Sequence, residues 1–242
     1  MRLAFSILDW QANAPGLSCT DDWLNWARQS AAIDTARPLD KCRQLPMMMA
    51  RRLNNGSRLA VDCGLALLHR QSVDAIVFTS RHGELERNLS ILKALSNNDN
   101  ISPTDFAMSV HNAAVGSLTI VAKAPLVSAS IAAGKDSFQQ GLVEVKALQA
   151  AGYKHVLLVD FDGAIPEFYH RHIPIMMPRY PYAVALLLGD GDEVCCNPMV
   201  GGGGKDEGVP QSLQFLHAFL ARQPIFHITG DRLGWQWERC DV

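Results

Sequence analysis

The stretch from residue 125 to residue 159 constrains the fold more than any other part of the chain. Residues 125–130 form a short strand-type run. Over residues 131–151, Phe138, Leu142 and Val145 recur at helical spacing, and Gly152 is a natural stop. Residues 155–159 are again a continuous apolar run. Strands with no polar alternation need cover on both faces. That requirement, with a helix between the strands, places the chain in the α/β class.

The remaining segments fit the same pattern. Residues 3–8 read as a first strand, closed by the Asn13-Ala14-Pro15-Gly16 turn. A polar, irregular stretch runs to about Leu45. Residues 57–69 carry Leu59, Cys63 and Leu67 at helical spacing, and residues 75–79 are a second apolar strand. Residues 84–95 form a helix with Leu85, Leu89 and Leu92 on one face. A further helix starts at Ser102, with Pro103 at its first position and Asp105 three residues on, and runs to about Lys123. Its small residues Ala107, Ala113, Ala114 and Gly116 predict a buried or interfacial position. Residues 182–188 are another strand, and a helix is expected over residues 209–222. The expectation is one compact domain over residues 1–242, with 201–242 a less firmly specified C-terminal extension.

Composition excludes some functions. Lys plus Arg number 22 and Asp plus Glu 24, a net charge of −2, which argues against a nucleic-acid binder built on excess positive charge. The longest apolar runs are about seven residues, far below the roughly 20 that span a bilayer. Asp9 follows the first apolar residues too soon for a secretory signal, so a cytoplasmic location is expected. The six cysteines, at 19, 42, 63, 195, 196 and 240, contain no C-x-x-C pair. Free thiols are expected, and no metal or other cofactor.

Several motifs imitate known chemistry. Val156 to Gly163 reads as a strand followed by Asp160-Phe161-Asp162-Gly163, like the first motif of haloacid-dehalogenase phosphatases. Asp190 and Asp192 imitate a later acidic motif of that family, but only 28 positions separate Asp162 from Asp190 (190 − 162), too few for the intervening βα units. The glycines at 201–204 precede Lys205 as in a phosphate loop, but Met199 stands where the first Gly belongs and Asp206 where Ser or Thr belongs. His170 and His172 lack companions for a metal site. Ser109 and His111, two apart on a helix, point away from each other. Met47 to Met49 and Met176-Met177 read as adaptable core or interface packing.

One resemblance organises the chain. Ile101-Ser102-Pro103 leads through Val110-His111-Asn112-Ala113-Ala114-Val115-Gly116 to Leu118-Thr119-Ile120, and a strand then ends in Ser128-Ala129-Ser130-Ile131-Ala132-Ala133-Gly134. This resembles the core of the β-ketoacyl synthases. In them a helix of the form N-x-x-x-G-x-L-x-I precedes a strand ending at the nucleophilic cysteine. A helix N-terminus lowers a thiol pKa, and its N–H groups form an oxyanion hole. The resemblance covers most of residues 1–190 and implies a thiolase-like fold, the N-terminal half of a ketosynthase: a mixed, mostly parallel sheet with helices on both faces. It is closest to short ketosynthase-like chain-length factors, including those of aryl polyene pathways.

The departures carry the functional expectation. Ile131 stands at the nucleophile position, and the family's two active-site histidines belong to a half that this chain lacks or holds only as a remnant after Gly204. The resemblance therefore implies a non-catalytic chain-length factor. Such a factor pairs with a full-length ketosynthase, acts on chains held by an acyl carrier protein, and shapes the acyl tunnel at the interface. The positions matching residues that reach across the pair are Thr104, Asp105, Phe106 and Met108, with His111 one turn on. Phe106 and Met108 suit an apolar tunnel wall, while Asp105 also fits a plain helix N-terminal acid. Two other readings stay open: an acyltransferase or hydrolase with a separate site around His111 or Asp160, and a partner that only stabilises the ketosynthase.

Overall fold

The structure, a computed structural model, describes residues 2–30, 32–200 and 208–240. The Gly201–Lys205 motif lies outside the described residues. The first part of the chain forms β1 (Leu3–Asn13), α1 (Thr20–Ala27), α2 (Met47–Ala50), α3 (Asn55–Arg70), β2 (Ala75–Thr79) and α4 (Leu85–Ser96). Next come α5 (Pro103–Ala107), α6 (Ala113–Ala122), β3 (Val127–Ile131), α7 (Ser137–Ala150) and β4 (Val156–Asp162). The last elements are β5 (Tyr182–Val200), α8 (Gln211–Leu220), β6 (Ile225–Thr229) and β7 (Leu233–Arg239).

The strands form one mixed sheet in the order β3-β2-β4-β5-β7-β6, with β1 also paired to β5. Parallel pairing is confined to β2 with β3 and β2 with β4. The other four pairings are antiparallel, which corrects the expectation of a mostly parallel sheet. The reason is the length of β5. Its first half lies between β4 and β1, and its second half lies between β7 and the start of β1. The changeover falls at residues 190–193, which have no partner in β1, and Gly191 there has φ +152°.

Alternation along the central strands explains their uniform hydrophobicity. Val77, Val156, Leu158, Val184 and Leu186 face one layer, built from α1, α7 and α8 with Trp23, Phe138 and Phe215. Phe78, Leu157, Val159, Ala185 and Leu187 face the other, built from α3 and α6 with Leu59, Cys63 and Leu118. Cover on both faces is thus met by different helices. The C-terminal segment contributes to the first layer through Trp235 and Trp237, both buried.

Two predicted helices differ in extent. The helix expected over residues 102–123 is two helices, α5 and α6. The Ser109 hydroxyl donates to the Phe106 carbonyl at 2.8 Å and competes with the helical ladder at the break. The helix expected from residue 131 begins at Ser137, because Ile131 is still in register opposite Thr79. Gly134, at φ +59°, turns the chain between them.

Candidate functional site

In sheets of this kind the carboxyl ends of parallel strands are the usual place for a site. Here β3, β2 and β4 end side by side at Ile131, Thr79–Ser80 and Asp160–Asp162. A small cavity of about 40 Å³ opens there, bordered by Lys135, Ser137, Asp160, Asp162, Tyr182 and Gln211. That is room for a few water molecules, not for an acyl chain.

Both carboxylates at the end of β4 are buried and fully engaged. Asp160 accepts hydrogen bonds from Thr79 Oγ1 at 2.6 Å, Ser212 Oγ at 2.6 Å and Tyr182 Oη at 3.2 Å. Asp162 accepts from Ser80 Oγ at 2.6 Å and from the His82 backbone N–H at 2.8 Å. Burial pushes each carboxyl up to about 6, and the hydrogen bonds oppose that rise. Asp160 therefore ties α8 to β2 and β4, and Asp162 pins the loop after β2. The sequence motif exposed the two accepting aspartates but none of their donors. Thr79, Ser80, Tyr182 and Ser212 sit at the ends of strands or the start of a helix, with no spacing to mark them.

This arrangement does not match a phosphatase. Asp162 pairs in register with Tyr182, whereas Asp190 lies beyond Leu188, at the opposite end of β4. The Asp190 side chain is 85% exposed and bonds Lys146 at 3.1 Å. Among the described residues no group of three or more His, Cys, Asp or Glu could hold a metal ion. His170 Nε2 bonds the Ile165 carbonyl at 2.9 Å, and His172 Nε2 accepts from Arg171 at 3.0 Å.

The elbow itself is built without a nucleophile at its expected position. Ile131 is half-buried and packs against the α7 and α8 layer. The first hydroxyl of α7, Ser137 Oγ, is bound within the elbow: it accepts from the Ala133 N–H at 3.0 Å and donates to the Gly134 carbonyl at 2.8 Å. It acts as a backbone brace.

The five predicted tunnel positions differ in exposure and in partners. Thr104 and Phe106 are exposed, Phe106 by 66%. Met108 is half-buried against the α3 and α6 layer. Asp105 pairs with Arg87, which also donates to the Arg52 carbonyl at 2.7 Å, so this acid fastens α5 to α4. His111 Nε2 lies 3.2 Å from the Ser80 carbonyl, which puts its ring beside the loop that Asp162 pins. Ser109 and His111 thus have separate partners. Around α5, α6 and the sheet edge β3, Phe106, Val110, Ile120 and Val127 are all exposed apolar side chains, and among the described residues β3 pairs only with β2.

Comparison with known proteins matches this architecture. The β-ketoacyl synthase N-terminal domain family matches residues 23–238. A chain in the structure of the ketosynthase ApeO in complex with its chain length factor ApeC, from Xenorhabdus doucetiae, is 58% identical with a TM-score of 0.96, over 98% of this chain and 100% of that one. A chain of the ishigamide ketosynthase/chain length factor is 12% identical with a TM-score of 0.72, over 98% of each chain. A β-ketoacyl synthase from Burkholderia phymatum is 14% identical with a TM-score of 0.57, over 92% of this chain and 71% of that one. The last two share the fold. No curated protein sequence matches the chain.

Proposed function

Because this chain belongs to the β-ketoacyl synthase family, we propose that it is a chain-length factor with no catalysis of its own, paired with an active ketosynthase. The observation that carries the reading is the full-length, 58% identical match to a chain of a ketosynthase and chain-length-factor complex. The elbow supports it: Ile131 offers no lone pair for acyl transfer, and the nearby hydroxyl of Ser137 is held by backbone groups. The carboxylates of Asp160 and Asp162 are engaged by hydrogen bonds, which weighs against a separate hydrolytic site there.

The partner would cover the β3 edge and the exposed apolar side chains around α5 and α6. An open strand edge beside such side chains favours strand pairing or packing against another chain. In this reading Phe106 reaches the shared acyl tunnel and Met108 backs it. Asp105 and His111 set the position of α5 and the Ser80 loop, and Thr104 lies at the rim. Residues 1–242 act as one domain. The carrier-bound chain, of the aryl polyene or type II polyketide kind, is met in the cytoplasm; among the described residues no helix is long and apolar enough to cross a membrane.

Product analysis after co-expression with the ketosynthase and carrier protein tests the proposal. Phe106→Trp should shorten the released chain and Phe106→Ala or Met108→Ala should lengthen it, since a tunnel end is set by packed volume. An unchanged length distribution in all three, with the complex intact, would leave only a stabilising partner. Thioester turnover by the purified chain alone would favour an acyltransferase or hydrolase.

A further inference from the structure

At the end of the sheet away from the elbow, two thiols meet. Cys195 Sγ lies 2.9 Å from Cys240 Sγ, although the residues are 45 positions apart. Cys195 is buried within β5, opposite Ala4 of β1 and Glu238 of β7. Cys240 follows β7 and is exposed; its backbone N–H donates to the Glu193 carbonyl at 2.9 Å, which extends the ladder and fixes its place. Arg2, just ahead of β1, puts Nη2 3.0 Å from Cys195 Sγ and 4.0 Å from Cys240 Sγ.

We propose that Cys195 and Cys240 form a reversible redox pair, oxidised by low-molecular-weight disulfides, whose internal disulfide staples the C-terminal strand to β5. A disulfide has a bond length of about 2.05 Å, so the sulfurs need approach by less than about 1 Å. The contact with Cys195 pushes the Cys240 thiol up, and the Arg2 guanidinium beside both sulfurs opposes that rise. Burial holds Cys42, Cys63 and Cys196 back from this chemistry. Burial pushes Cys42 up to about 11 and Cys196 up to about 12, and holds Cys63 well above its ordinary value.

The exchange balances as two displacements. The Cys240 thiol gives its proton to solvent as Cys240 Sγ attacks one sulfur of R–S–S–R, and RS⁻ leaves. The Cys195 proton then passes to that RS⁻, and Cys195 Sγ attacks Cys240 Sγ and displaces the second RS⁻. Two protein thiols are oxidised by two electrons, and the small disulfide is reduced to its two thiols.

The test treats the reduced full chain with oxidised glutathione, then blocks remaining thiols with maleimide and maps peptides by mass spectrometry. The expected result is a linked Cys195–Cys240 peptide pair, a loss of two hydrogens in intact mass, and reversal by reduced glutathione. Cys196→Ala should keep the link and Cys240→Ser should abolish it. Arg2→Met should slow linking several-fold. The linked form should melt roughly 5–10 °C higher, because the cross-link closes a long loop. A stable glutathione adduct on Cys240 beside an unlinked Cys195 would overturn the proposal, as would linkage through Cys196 instead.

Discussion

Ile131 stands opposite Thr79 in the parallel ladder between β3 and β2, and Thr79 donates to Asp160 at 2.6 Å. Residue 131 is therefore the last rung of a strand, and residues 132–136 separate it from α7. The field and free N–H groups of a helix act within about its first turn. Ile131→Cys should consequently fail to restore acyl transfer. Intact-mass measurement after incubation with an acyl carrier protein thioester should show an unmodified chain.

The two buried carboxylates predict a pH dependence of stability. Each has a folded-state pKa of about 6 against 3.8 for the free group. As pH rises from about 4 to about 6, the unfolded chain releases these protons while the folded chain keeps them, so their contribution favours folding below about 4 and is lost as pH passes about 6. The loss is on the order of 1–3 kcal/mol per group. Urea unfolding between pH 5 and pH 7, both roughly chosen to bracket the upper part of this window, should show stability falling with pH. Asp160→Asn should reduce that slope by the share of one proton.

Trp237 and Phe106 should respond very unequally to truncation. Trp237 is fully buried, with Phe215 edge-on at 4.8 Å and Phe226 stacked at 5.9 Å between ring centroids. Trp237→Ala should cost about 3–5 kcal/mol by the cavity it leaves. Phe106→Ala should change the stability of the isolated chain by no more than about 0.5 kcal/mol, because the ring is exposed. Denaturant melts of both variants check this contrast. A large loss in the Phe106 variant would mean that α5 packs differently.

Gly56 fixes the approach of α3 to the site. A side chain there would run into the backbone of Asp162 and Gly163. Gly56→Ala should therefore push α3 from the end of β4 and cost about 1–3 kcal/mol, despite the better helix propensity of alanine. Thermal unfolding of the variant is the measurement.

Much of this was legible from local sequence. Residues 75–79 formed a strand with the bounds expected, because five buried positions in a row leave no ambiguity. The Ser102 cap of α5 is equally local: its hydroxyl accepts from the Asp105 N–H at 3.4 Å. What escaped was set by tertiary context. α1 lay in a stretch that read as polar and irregular, although Trp23 and Trp26 at i and i+3 mark its buried face. No continuous apolar run marks β6 and β7, though Trp235 and Trp237 alternate as strand residues do. The antiparallel character of the sheet depends on β5 running 19 residues through a bend, which no apolar run announces. At the site, the aspartates were visible as a motif, but their partners Ser212 and Tyr182 come from other elements.

The central claim is that this chain shapes a reaction it does not catalyse. The most direct measurement is acyl loading of the purified complex of this chain with its ketosynthase, using a labelled acyl carrier protein thioester and then separating the two polypeptides. The account predicts a stoichiometric complex with the label on the ketosynthase alone. Label on this chain, or failure of the two chains to co-purify, would contradict it.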